Sequence, residues 1–320
     1  MYEVELITIE ERDAIISKYE KLITWQRKAN INGACIKFFT NNKLFKEMWE
    51  DNFWFMSDDV RPHARVFALE AGGELRVYYE PISKTVIILD CDYYGWVKSI
   101  TLALTADLFE DYHSARRRFS VHGAALDFGG IGITIISPSG TGKTTLALGL
   151  LLFEEGSRLV SEDWYFVLPS RKYFVASASE KEIYVRGDIG DIWPQYRIMV
   201  KEGVSDPKGR AITDLTRALG EGRTIQQTTI RSAVLLKRDY HDEETVKGLT
   251  SPEALEFMKS NDFCNPHQLV RTEAKHRIRT EFFERYFASL DRIYIVNTIL
   301  KPEETLNRVR GLLSDGGLLG

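Results

Sequence analysis

The sequence predicts an α/β protein whose core is organised around a strand, a tight glycine loop and a helix, preceded by a smaller α+β region. Three observations carry this reading. The apolar run Ile131-Gly132-Ile133-Thr134-Ile135-Ile136 has the composition of a buried strand. Ser139-Gly140-Thr141-Gly142-Lys143-Thr144-Thr145 follows it and leads into Leu146-Ala147-Leu148-Gly149-Leu150-Leu151-Leu152, a helix. Further strand-like segments lie before and after this unit, separated by helical patterns.

At 320 residues the chain suggests about two domains, divided near Arg116-Arg117-Arg118 into residues 1–115 and 116–320. That arginine run reads as a solvated face or a domain seam. In the first region, residues 9–28 read as one amphipathic helix, with Ile15, Ile16, Tyr19, Leu22 and Ile23 at helical spacing. Strands are expected at Ala34 to Phe39, Ala64 to Leu69, Leu75 to Tyr79 and Thr85 to Leu89, with Gly72-Gly73 as a hairpin turn. A second helix places Trp96, Ile100, Leu104 and Leu108 at every fourth position. The aromatics Trp49, Phe53, Trp54 and Phe55 read as core or interface rather than as a platform for stacked bases.

In the second region, Val121-His122-Gly123-Ala124-Ala125-Leu126-Asp127-Phe128 is joined to the loop strand by Gly129-Gly130. Two glycines between apolar runs signal a two-residue hairpin whose central residues have positive φ. In that register Phe128 faces Ile131, and counting back puts His122 opposite Ser137, at the mouth of the loop. Beyond the helix, Gly156 supplies a C-cap and Ser157-Arg158-Leu159-Val160-Ser161 forms a short strand ending in Glu162-Asp163-Trp164. A strand returning after one helical crossover runs parallel to the loop strand, which brings Glu162 and Asp163 to the edge that carries the loop. Ser232 to Leu236 and Ile293 to Val296 are expected to complete the sheet, and Pro302-Glu303-Glu304-Thr305-Leu306 to start a final helix. Arg271, Lys275 and Arg279 form a basic stripe opposite Ala274, Ile278, Phe282 and Tyr286. It reads as a solvated helix face, with phosphate or an acidic substrate as the alternative. Arg210, after Asp206-Pro207-Lys208-Gly209, reads as a loop residue and a weaker candidate.

The loop has the chemistry of a phosphate-binding P-loop. Backbone N–H groups of a compact turn converge on phosphate oxygens, and the helix N-terminus adds partial positive charge. Gly140 and Gly142 let the backbone curl close to the ligand, Lys143 reaches the β- and γ-phosphates, and Thr144 offers a hydroxyl to Mg²⁺. Residues Ser139, Gly140, Thr141, Gly142, Lys143, Thr144 and Thr145 are therefore the nucleotide-binding candidates, with ATP and Mg²⁺ as expected ligands. Ser137-Pro138 stands where the usual pattern begins with glycine. ATP-driven motors and transporters place their acidic metal-binding strand many tens of residues past the loop; here it is the next strand, which favours a compact phosphotransferase.

Composition excludes some classes. A net charge of -4 argues against indiscriminate nucleic-acid binding. No apolar run approaches the ~20 residues that span a bilayer, and Met1-Tyr2-Glu3-Val4-Glu5 has neither the basic nor the apolar part of a secretory leader. The expectations are no nucleic-acid partner, no membrane and a cytoplasmic location. Cys35, Cys91 and Cys264 are far apart, form no C-x-x-C pair and read as buried thiols.

The stretch from Val121 to Val167 resembles the catalytic core of the HPr kinase/phosphorylase family, bacterial serine kinases that modify a carrier protein. His122-Gly123, Gly129-Gly130, Ser139 to Thr144, and Arg158-Leu159-Val160 with Glu162-Asp163 carry the resemblance. The loop is also similar to that of ATP-dependent phosphoenolpyruvate carboxykinases, which share this core. The resemblance implies a mixed sheet of the HPr kinase C-terminal type and a homo-oligomer. It further implies an arginine-glycine segment that helps bind metal and align substrate. Tyr184-Val185-Arg186-Gly187-Asp188-Ile189-Gly190 is similar to it, with tyrosine where glutamate belongs and the second glycine displaced by one. Arg186 is the contact this implies, and Glu182, two residues before Tyr184 on one strand face, is the candidate to replace the missing acid.

The reaction implied is phosphoryl transfer to a hydroxyl, on a serine of a protein or peptide or on a small metabolite. Lys143, Glu162, Asp163, His122 and Arg186 are the catalytic candidates, and Thr144 with Asp163 and Glu162 the metal ligands. Of the two acids, Asp163 is taken as metal-proximal and Glu162 as the base, with the reverse left open. A carboxykinase-like enzyme and a nucleotide-gated binding module with slow NTPase activity are the competing readings.

Overall fold

The computed structural model describes residues 2–111, 117–170, 172–205 and 209–315. Arg116 of the basic run and Asp206, Pro207 and Lys208 lie outside them. The fold is mixed α/β, with sheets of seven, eight and three strands.

The first sheet comprises β1 (Val4–Leu6), β2 (Trp25–Ile31), β3 (Ala34–Thr40), β4 (Trp54–Phe55), β5 (Ala64–Leu69), β6 (Arg76–Glu80) and β7 (Thr85–Leu89), in the order β1-β6-β7-β5-β3-β2-β4. Helix α1 (Ile9–Tyr19) follows β1, α2 (Lys43–Asn52) follows β3, and α3 (Tyr94–Glu110) follows β7. The single helix expected over 9–28 is corrected: α1 stops at Tyr19, a 3₁₀ turn covers Glu20–Leu22, and Trp25 onwards is strand. The reason is the hairpin to β3, whose turn residues Asn32 (φ 52°) and Gly33 (φ 89°) both take positive φ. Gly72-Gly73 is not a hairpin turn either. β5 and β6 lie on opposite sides of β7, parallel and antiparallel to it, so this connection crosses over a strand.

The second region begins with β8 (Phe119–Phe128), β9 (Ile131–Ile136), α4 (Lys143–Phe153), β10 (Ser157–Ser161), β11 (Trp164–Pro169) and β12 (Phe174–Ala178). Next come β13 (Ile183–Arg186), α5 (Ile189–Ile192), α6 (Arg197–Glu202), β14 (Val204–Ser205), β15 (Arg210–Thr213) and α7 (Thr216–Leu219). The chain finishes with β16 (Gln227–Lys237), β17 (Val246–Gly248), α8 (Ser251–Ser260), α9 (Glu273–Ala288), β18 (Arg292–Asn297) and α10 (Pro302–Asp315). Gly129 (φ 62°) and Gly130 (φ 97°) form the expected turn, and β8 pairs β9 from Phe128–Ile131 to Gly123–Ile136. The pairings β8–β9, β9–β16, β16–β12, β12–β11 and β11–β8 close a ring of strands. β16 and β18 both join the sheet, as the sequence leads one to expect, and pair with each other in parallel. Strand β10 runs in the direction of β9, because both are antiparallel to β8, but β8 lies between them.

The apolar core does not part near residue 116. One cluster unites Ile36, Phe38, Val66 and Ile88 of the first sheet with Trp164, Phe166, Tyr184 and Ile212 of the second region. Helix α3 is the shared element. Every one of its residues but Trp96 is buried, the state of a helix that is apolar all round.

The basic stripe is corrected as well. Arg271 precedes α9, whose N-cap is Thr272, and pairs with Asp262. Lys275 and Arg279 share the buried face of α9 with Phe282, Phe283, Tyr286 and Phe287, whereas Ala274 is exposed. They meet the acidic end of α3: Lys275 reaches Asp107 at 2.8 Å and Asp111 at 2.6 Å, and Arg279 forks onto Glu110 at 2.9 and 3.0 Å. Lys84 joins the same cluster through Asp107 and Asp111. No helix among the described residues is long and apolar enough to cross a membrane.

Candidate active site

Strand β9 ends at Ile136, and the chain turns through Ser137 to Gly142 into α4. Gly140 (φ 82°) and Gly142 (φ 100°) occupy the left-handed region, where a side chain is strained. The turn is braced from within, where Thr141 Oγ1 donates to the Pro138 carbonyl at 2.8 Å, and from outside, where Thr298 Oγ1 donates to the Thr141 carbonyl at 2.7 Å. Trp193 Nε1 donates to the Thr145 carbonyl at 3.0 Å, fixing the first turn of α4. Ser139 and Gly140 are exposed at the tip.

The acids reach this loop through β8. β10 and β11 both pair with β8, one after the other, and the two-residue bend between them is Glu162-Asp163. His122 on β8 lies directly opposite Trp164, next to the bend. Thr144 Oγ1 donates to Glu162. Lys143 Nζ lies 2.6 Å from Asp163 Oδ1 and 3.2 Å from the Asp163 carbonyl. His122 Nε2 is 3.3 Å from the same Oδ1.

The electrostatics separate the two acids. Burial and the adjacent Asp163 charge push the Glu162 carboxyl above the usual range. Burial also works against the Asp163 charge, but Lys143, Lys98 and His122 outweigh it and hold that carboxyl well below the usual range. Burial, then the Lys143 charge, keeps the His122 imidazole below the ordinary histidine value. Its geometry opposes this: Nδ1 lies 2.6 Å from the Cys264 carbonyl, which only accepts, so Nδ1 carries the proton. A neutral ring therefore turns a bare Nε2 towards Asp163, and only the imidazolium donates to both partners.

No family model matches the chain, and no curated protein matches it.

A cleft of about 360 Å³ opens over the loop. His122, Lys143, Thr144, Glu162 and Asp163 line it, so the structure brings these candidates together. Arg186 stands on its wall, largely exposed and paired with Asp188 at 2.8 Å. Arg210 also lines the cleft; it begins β15 rather than lying in a loop, and it is the cross-strand neighbour of Arg186. Glu182 does not reach the cleft. It faces a separate cavity of about 270 Å³ behind the acid pair, shared with Glu180 and Asp214, whereas Tyr184 lines the cleft itself.

Three contributors escaped the sequence reading. Arg238, at the end of β16, lines the cleft and is anchored through Nε on Thr298 Oγ1 at 3.3 Å. Lys98 of α3 lies beneath Asp163, and Glu180 lies beside Lys98. The signal for Lys98 was present, since it is the only basic residue in the whole of α3. As metal donors the cleft offers the Thr144 hydroxyl and the Glu162 carboxylate, side by side. That sparse set suits Mg²⁺, which takes much of its octahedral shell from phosphates and water.

Proposed function

We propose that this chain is an ATP-dependent kinase that transfers the γ-phosphoryl group to a hydroxyl acceptor, on a P-loop core of the HPr kinase type. The observation that carries the reading is the convergence of Lys143, Thr144, Glu162, Asp163 and His122 on one cleft beside a glycine loop. A merely glycine-rich turn has no need of that set.

The loop amides and the N-terminus of α4 receive the phosphates. Lys143, resting on Asp163, has a phosphate as its alternative partner, so nucleotide binding trades one anion for another. Mg²⁺, when bound, offsets charge on the β- and γ-phosphates. Thr144 and Glu162 are its holders. Asp163 is then the base: it is kept ionised, and with Lys143 drawn away its Oδ1 accepts the proton of the incoming hydroxyl as the new O–P bond forms and ADP leaves. This reverses the order the sequence favoured for the two acids. As the imidazolium, His122 donates through Nε2 to Asp163 and so orients it, while its Nδ1 donates to the Cys264 carbonyl. Arg186 and Arg210 stand where they meet anionic groups of nucleotide or acceptor.

The test is an acceptor screen with γ-labelled ATP and Mg²⁺, comparing wild type with Lys143→Ala on cell-extract proteins and on a panel of hydroxyl metabolites. Label transferred by wild type alone supports the kinase and names its acceptor class. Nucleotide binding with no transfer to any acceptor replaces it with a nucleotide-gated module.

A further inference from the structure

Lys98 belongs to the first region, in a helix whose other exposed or buried positions carry no positive charge. Its side chain is only 2 % exposed, yet its ammonium lies 3.2 Å from Asp163 Oδ2 and 3.1 Å from Glu180 Oε1, with the Tyr184 ring centroid at 5.5 Å. The Glu180 side chain is itself only 7 % exposed and makes no other ion pair among the described residues. Sinking an ammonium and two carboxylates into a protein interior costs several kcal/mol per ion before pairing repays it, and apolar replacements often serve stability as well. Packing alone therefore gives little reason for a lysine at this point of α3.

The division of labour on Asp163 supplies one. Oδ1 faces the cleft, towards Lys143 and His122, and Oδ2 faces inwards, towards Lys98. We infer that Lys98 is a positioning residue of the reaction, the inward tether that fixes the Asp163 carboxylate so that its other oxygen stays aimed into the cleft. The inference rests on the phosphotransfer reading of the site. It makes the first region part of the machinery. α3 is gripped at one end by Lys84, Lys275 and Arg279 and delivers Lys98 from its other end, so the base is held against a helix that both sheets share. Because Lys98 is shut off from the cleft by Asp163, it acts through that carboxylate and not on the substrate.

The test uses the full chain. Lys98→Met/Glu180→Gln removes the ammonium together with the carboxylate it would otherwise orphan, and Lys98→Arg keeps the charge. Affinity for an N-methylanthraniloyl ATP analogue and the kcat and KM of ATP turnover are measured for each. The double variant is expected to bind nucleotide within about threefold of wild type, while kcat falls about 100-fold because the base is misplaced; Lys98→Arg recovers part of kcat. A folded double variant with wild-type kcat overturns the inference. If that variant does not fold, Lys98→Gln/Glu180→Gln, which keeps a hydrogen-bond donor at the position, is judged by the same criteria. A crystal structure of the folded variant decides the tether without any turnover: Asp163 rotated off Lys143 and His122 supports it, and Asp163 unmoved overturns it. Wild type that binds ATP without turning it over removes the kinase reading instead, and leaves the tether to the crystal structure.

Discussion

Thr144 gives its hydroxyl hydrogen bond to Glu162 and not to the neighbouring Asp163, which is engaged by Lys143, His122 and Lys98. Two adjacent acids thus face different chemistry, and their substitutions should separate. Glu162→Gln is expected to raise the Mg²⁺ concentration needed for half-maximal turnover by roughly 10- to 100-fold. Asp163→Asn should lower kcat by about 10²- to 10⁴-fold with little change in that Mg²⁺ requirement. Turnover measured across a Mg²⁺ titration distinguishes them, and the opposite pattern returns the roles to the order first read from the sequence.

Lys143→Ala should cost about 10²- to 10³-fold in turnover, the scale of losing one preorganised charge donor. The fold should survive, because Asp163 keeps Lys98 and His122 as partners. Thermal melting alongside the rate measurement checks both halves of this expectation.

His267 carries a prediction about pH. Tyr2 Oη and His267 Nδ1 share a hydrogen bond at 2.8 Å, and burial, with His122 next, lowers the imidazole to about 3. In the unfolded chain the ring takes its proton near pH 6.5. Between these values the unfolded state binds more protons, so the stability contribution is complete above about pH 6.5 and is lost as pH falls towards 3. The urea midpoint should decline over that window, and His267→Gln should flatten the decline. An unchanged slope in the variant would assign the pH dependence elsewhere.

Arg279→Ala leaves Glu110 buried with Lys275 still beside it, 3.5 Å away. Breaking a buried pair from one side costs about 3–5 kcal/mol. Arg279→Met/Glu110→Leu, which removes both charges, should recover much of that loss in equilibrium unfolding.

Gly132 sits in β9 against β16. A Cβ there would lie 2.6 Å from the Thr229 carbonyl oxygen and 2.7 Å from Thr228 Cγ2. Backbone cannot step aside as a side-chain tip can, so Gly132→Ala should destabilise the protein by about 1–3 kcal/mol. A melting temperature equal to wild type would show that the strands separate without penalty.

Much of this architecture was legible locally. The Gly129-Gly130 turn fixes the β8–β9 register, and that register puts His122 beside the loop end of β9. The meeting of Glu162 and Asp163 with Lys143 and Thr144 followed from one helical crossover. What failed was non-local. Nothing near Gly72-Gly73 says that β7 will enter between β5 and β6. Trp25 to Lys28 continue a helical pattern, and only pairing with β3 turns them into strand. Lys275 and Arg279 look solvated until the carboxylates of α3, far earlier in the chain, are placed against them. Lys98 is the same case, since its partners Asp163 and Glu180 come from the other region.

The strand ring also bears on how the chain is made. During synthesis β8, β9 and the loop emerge well before β16, so β9 at first has an unpaired edge along the apolar run Ile131–Ile136. Exposed edges of this kind recruit other chains, and pairings between distant segments form late. Ribosome-released fragments that end before Lys237 are therefore expected to aggregate, and a co-translational chaperone has its most useful moment in the interval before β16 closes the ring.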